Sequence, residues 1–106
     1  MSVIGSSGAP LVQANQPTII YNAEKTVAVA GTAEALIIAS TELYSGVEIQ
    51  ALSGNTNNIF IGDVSVDSTN GFILAAGEKK FIEINDLSKV YIDVTTNAEG
   101  VRYLAT

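Results

Sequence analysis

The sequence contains neither cysteine nor histidine. Without cysteine no disulfide can form and no thiolate can act as nucleophile or metal ligand. Without histidine the side chain that most often moves protons near neutral pH is missing. Zinc sites of the Cys/His type, cysteine nucleophiles and Ser-His-Asp triads are therefore excluded. Tryptophan is absent too, and proline occurs only twice.

Charge is scarce. Only 15% of the 106 residues are charged, against about 25% in ordinary soluble domains. Eleven acidic and five basic residues leave a net charge of −6. Nucleic-acid binding needs clustered Lys and Arg to displace counterions from phosphates. Five scattered basic residues in an acidic chain do not meet that need, and they disfavour an anionic membrane surface equally. Long hydrophobic runs are also missing. The longest apolar stretches, such as Ala35–Ala39, fall far short of the ~20 residues that span a bilayer. The N-terminal residues carry no basic cluster and no apolar run of signal-peptide length. The expectation is a chain made in the cytoplasm.

What covers the surface in place of charge is partly neutral polar: nine Ser, nine Thr and eight Asn. Mean hydropathy is nevertheless positive. A surface low in charge and rich in aliphatics suits burial against partners.

Residues 1–17, MSVIGSSGAPLVQANQP, contain no charged residue and sustain no hydrophobic period. They are read as an extended arm in front of one domain, residues 18–106. Gly5-Ser6-Ser7-Gly8 lacks the Gly-Lys-Ser/Thr ending and the strand–helix context of a phosphate loop. Val3, Ile4, Pro10, Leu11 and Val12 are the residues of the arm suited to grip a neighbour.

From Thr18 the chain reads as β. Ile, Val and Thr make up 31 residues, and β-branched side chains suit strands. Short apolar runs alternate with turn signals every 8–12 residues or so. Strands are expected at Thr18–Tyr21, Lys25–Val29, Ala35–Ser40, Gly46–Leu52, Ile59–Gly62, Gly71–Leu74, Lys80–Ile84, Tyr91–Thr95 and Val101–Leu104. The turns between them include Asn22–Glu24, Ser53–Asn58, Asp67–Asn70, Ala76–Glu78 and Asn97–Gly100. Val47, Ile49 and Ala51 alternate with Glu48 and Gln50. Ile82 and Ile84 oppose Phe81 and Glu83, and Val90, Ile92 and Val94 oppose Tyr91, Asp93 and Thr95. Period 2 places one set on a core. Thr32–Ala39 is the one stretch where a helix competes, with Thr32 as its cap. The fold class expected is all-β: an antiparallel β-sandwich, jelly-roll or immunoglobulin-like, with the extended N-terminal arm.

Carboxylates are the only acid/base groups of the classical kind left. Asp63 and Asp67 flank Val-Ser-Val, and Glu83 and Asp86 flank Ile-Asn. Neither pair has calcium-loop spacing, and a glycosidase needs two carboxylates across a cleft. Solvated turns and loop capping are the simpler reading. No catalytic residue, metal site or cofactor is expected. Phe81 and Tyr91 fall on the faces opposite the aliphatic sets of their strands. If those strands pair, the rings are neighbours on an outer surface. A subunit interface, a glycan platform and ordinary packing all stay open for them.

One stretch is familiar as a sequence. Val47-Glu-Ile-Gln-Ala-Leu-Ser-Gly-Asn-Thr-Asn-Asn-Ile-Phe-Ile-Gly-Asp63 is followed by Ser68-Thr-Asn-Gly-Phe-Ile-Leu-Ala-Ala-Gly-Glu78. Then come Leu87-Ser-Lys-Val-Tyr-Ile-Asp93 and the ending Gly100-Val-Arg-Tyr-Leu104. Over residues 45–104 this resembles small virion proteins of tailed bacteriophages, in particular capsid decoration or cement proteins. Similar modules occur in phage tail, neck and fibre proteins. The resemblance implies a non-enzymatic part of the virion, a homotrimer bound outside the lattice of the major capsid protein. A carbohydrate-binding β-sandwich for host attachment is the alternative from another class.

Overall fold

The computed structural model describes residues 17–106. Eight strands appear in it: β1 (Tyr21–Thr26), β2 (Glu34–Ala35), β3 (Val47–Ala51), β4 (Ile59–Gly62), β5 (Phe72–Leu74), β6 (Lys79–Ile82), β7 (Tyr91–Val94) and β8 (Gly100–Ala105). A single 3-10 turn, Leu87–Lys89, precedes β7.

The strands form two antiparallel sheets, ordered β1-β8-β3-β6 and β2-β7-β4-β5. The pairs β1–β8, β2–β7, β3–β6 and β4–β5 are nested. That is one long hairpin of four rungs rolled so that rungs fall in alternate sheets. This order is the jelly roll, and it excludes the immunoglobulin arrangement.

The expected alternation builds the core. Val47, Ile49 and Ala51 are buried while Glu48 and Gln50 are exposed. Registers align Ile49 with Tyr103 on one sheet, and Ile59 with Val94 and Leu74 on the other. Val101, Val27 and Leu87 complete a single apolar cluster between the sheets.

The N-terminal half of the body departs from the sequence reading. Asn22–Glu24, expected as a turn, lies inside β1 and pairs with Arg102–Leu104. Thr18–Tyr21 and Lys25–Val29, expected as separate strands, contribute to that one strand only Tyr21 and Lys25–Thr26. β1 is an edge strand, so Asn22 and Glu24 face water and mask the alternation. Of Ala35–Ser40 only Ala35 is in a strand, and Thr32–Ala39 forms no helix. Leu36 is buried and its N–H bonds the Val90 carbonyl, 2.9 Å. The chain then leaves the sheet.

Two loops fold back over the outer face of the β2-β7-β4-β5 sheet. Phe60 points outward from β4 yet is buried, together with Val66 of the β4–β5 loop. Gly71 makes this cover possible: a Cβ there would lie 2.5 Å from the Phe60 Cβ and 2.8 Å from a Val66 methyl. Asp93, outward on β7, is only 2% exposed. Its carboxylate accepts the Gly31 N–H (3.0 Å) and the Val94 N–H (2.7 Å), which seats the β1–β2 loop.

Candidate assembly surfaces

The open sides of a two-sheet sandwich are where further strands could add. Here each side carries a lysine turned inward. On the β1–β2 side Lys25 reaches Glu34 across the two sheets, Nζ–Oε1 2.7 Å. Glu34 also accepts the Ala28 N–H at 3.1 Å, and the Lys25 bond leads in holding its carboxyl below the usual range. On the β5–β6 side Lys80, in register with the core residue Ile49, lies over the Phe72 ring at 5.2 Å. An inward charge at an edge blocks continuous pairing, and the cation–ring contact adds a modest attraction.

Three of the four carboxylates the sequence singled out hold turn and loop donors. Asp63 accepts from the Ser65 N–H and hydroxyl, at 2.9 and 2.7 Å. Asp67 does the same for Thr69, at 2.8 and 2.6 Å. Asp86 gathers four donors: the Ser40 hydroxyl, the Thr41 N–H, and the Ser88 N–H and hydroxyl, at 2.7–2.9 Å. It caps the 3-10 turn and ties the segment after Ile38 to it. These donors favour the ionised form. Asp63 and Asp67 are lowered first by the hydroxyl bonds of Ser65 and Thr69, and Asp86 far lowered first by the Ser40 hydroxyl. Glu83 is exposed. Among the described residues no three carboxylates gather as a metal-binding group.

Sequence reading missed Glu99. Its carboxylate accepts the Thr56 N–H and hydroxyl, both 2.7 Å, and the Asn57 N–H at 3.3 Å. Asn55 completes the link, donating to the Gly100 carbonyl at 2.9 Å and accepting the Gly100 N–H at 3.3 Å. The β3–β4 and β7–β8 turns are thus one unit. It forms a wall of a cleft of about 510 Å³, which Gln50, Ala98 and Arg102 also line. Among the described residues no aromatic ring lines this cleft.

The two aromatic candidates do not meet. Phe81 lies on β6, in register with Glu48, and Tyr91 on β7, between Gly62 and Ala35. β6 and β7 belong to different sheets, so the rings stand on opposite outer faces. Phe81 is 48% exposed. Tyr91 is half-buried and lines a shallow cavity of about 260 Å³ with Ala33, Ala35 and Ile38. Val3, Ile4, Pro10, Leu11 and Val12 lie outside the described residues, as does Gly5–Gly8.

Comparison with known proteins adds no identification: no family model, no curated protein and no solved structure matches the chain.

Proposed function

We propose that this chain is a non-enzymatic virion protein of the capsid decoration type, a homotrimer on the outer surface of the major capsid lattice of a tailed phage. The observation that carries the reading is its exposed apolar surface. Ten large apolar side chains stand exposed among the described residues. They sit on a body whose buried side-chain polar atoms all have partners. Exposed apolar surface suits coverage by neighbours in an assembly. The resemblance of residues 45–104 to decoration proteins points the same way. Jelly rolls recur in viral capsid and lectin domains, although fold alone carries no function.

In this role the body supplies rigid bulk, and residues 1–17 supply the grip through Val3, Ile4, Pro10, Leu11 and Val12. An extended segment can grip by adding a strand to a neighbour's sheet. A ligand that binds only the assembled shell stabilises it by mass action. Neither task needs a cofactor, a nucleic acid or a membrane.

The test is co-sedimentation of purified chain with undecorated heads. Full-length protein is expected to bind at saturable stoichiometry. Deletion of residues 2–17 is expected to abolish binding while the circular dichroism and Tm of the body persist. Full occupancy by the truncated chain would remove the arm from the account. Failure of the full-length chain to bind any head would remove decoration itself.

A further inference from the structure

The two open sides of the sandwich differ in shape and charge. On the β1–β2 side the segment after β2 presents Ile38, 94% exposed, beside Tyr91 and Ala35. Neighbouring apolar residues of that segment turn inward: Leu36 is buried and Ile37 packs against the core. Their anchoring, with the Asp86 bonds to Ser40 and Thr41 just beyond, holds Ile38 out as a fixed knob.

The β5–β6 side carries a hole. A cleft of about 350 Å³ opens there between the sheets, lined by Phe72, Ile82, Ile84 and Val90, with Lys80, Lys89 and one carboxylate, Asp63, among its polar lining. It has room for a branched aliphatic side chain. Charge follows the same division. Lys25 and Arg102 have carboxylate partners on the β1 side. Lys79, Lys80 and Lys89 lie on or next to the β6 side, without a carboxylate partner among the described residues. The knob segment, residues 33–42, contains no basic residue and two acidic ones, Glu34, already paired with Lys25, and the exposed Glu42.

We propose that a second copy of this chain is the occupant of the β5–β6 cleft, inserting its Ile38 between Phe72, Ile82 and Ile84. Knob and hole open toward opposite edges of the sandwich, whose two sheets are each four strands wide. The contact is therefore head-to-tail. Such contacts propagate and close into rings when the rotation per step permits. The acidic approach of Glu42 to Lys80 and Lys89 orients the encounter. This deepens the proposed function by naming the surfaces of the homo-oligomer, and it rests on that reading for its biological role.

The contact is testable on purified chain by sedimentation velocity with two complementary variants. Ile38→Asp removes the knob and keeps the hole. Phe72→Asp blocks the hole and keeps the knob. Wild type is expected to self-associate with concentration. Each variant alone is expected to associate at least ~10-fold more weakly, since the substitution removes the apolar contact and a hydrated carboxylate must be desolvated in its place. Mixed, the two are expected to form a 1:1 heterodimer that grows no further, through the one intact knob and one intact hole. Unchanged Tm confirms that both fold; if Phe72→Asp does not, the exposed Lys89→Glu replaces it, and weakened association is again expected. A monomeric wild type, an Ile38→Asp chain that associates like wild type, or a mixture that stays monomeric overturns the proposal. Head binding separates the two ideas. Wild type that forms the oligomer and ignores heads keeps this contact and loses decoration. Monomeric wild type that binds heads does the reverse.

Discussion

Four carboxylates show how a chain with few charges uses them. Asp63, Asp67, Asp86 and Glu99 each hold two or more backbone or hydroxyl donors of a turn. All four are lowered from the usual carboxylate range. A lowered folded-state pKa contributes stability above the unfolded value, near 4, and loses it as pH falls toward the folded value. Stability is therefore expected to be level near neutrality and to decline below about pH 4 as these groups protonate. Asp86 is the hub. Asp86→Asn is expected to lower Tm at pH 7 and to flatten the fall of Tm on acidification. Thermal melts between pH 2 and 7 check both, and a variant with the wild-type slope contradicts the role given to Asp86.

Strands whose inward face is fully covered are legible in the amino-acid pattern. β3 and β4 follow from strict alternation and from a short apolar run closed by glycine. β7 follows likewise, except that Asp93, outward by its period, is buried by a loop from 62 residues away in sequence. Such burial is a tertiary event and leaves no local pattern. The edges are harder to read. β1 carries polar residues on its solvent face, and β2 is only two residues long. The Lys25–Glu34 and Lys80–Phe72 contacts join different sheets, so no spacing rule signals them. Turn chemistry at Asp63 and Asp67 is readable from neighbouring Ser and Thr, whereas the grip of Glu99 on Thr56 spans 43 residues. The loop over Phe60 is the element most open to test. Phe60→Ala is expected to cost about 3 kcal/mol, as for large core truncations. Amide exchange is expected to quicken most across residues 62–71. Urea unfolding and exchange mass spectrometry measure the two effects. A loss below about 1 kcal/mol with unchanged exchange would mean that the loop does not rest on Phe60.

At the scale of the whole molecule, the described residues form a nested hairpin around an apolar core, with ten large apolar side chains exposed. On the proposed function, the low charge, Ile38 and the cleft beside Phe72 are features of one contact-making part. Phe81, Leu104, Ile73 and Val64 remain exposed on the outer faces and loops, where a lattice could cover them. Burial of such surface stabilises by roughly 25 cal/mol per Å², so even a modest footprint repeated over a shell adds up. The measurement that bears most directly on this account is electron microscopy of intact virions labelled with antibody against the body of the chain. Decoration predicts label distributed over the whole head surface at regular intervals. Label confined to the tail, neck or fibres would contradict it and assign the chain to those parts instead.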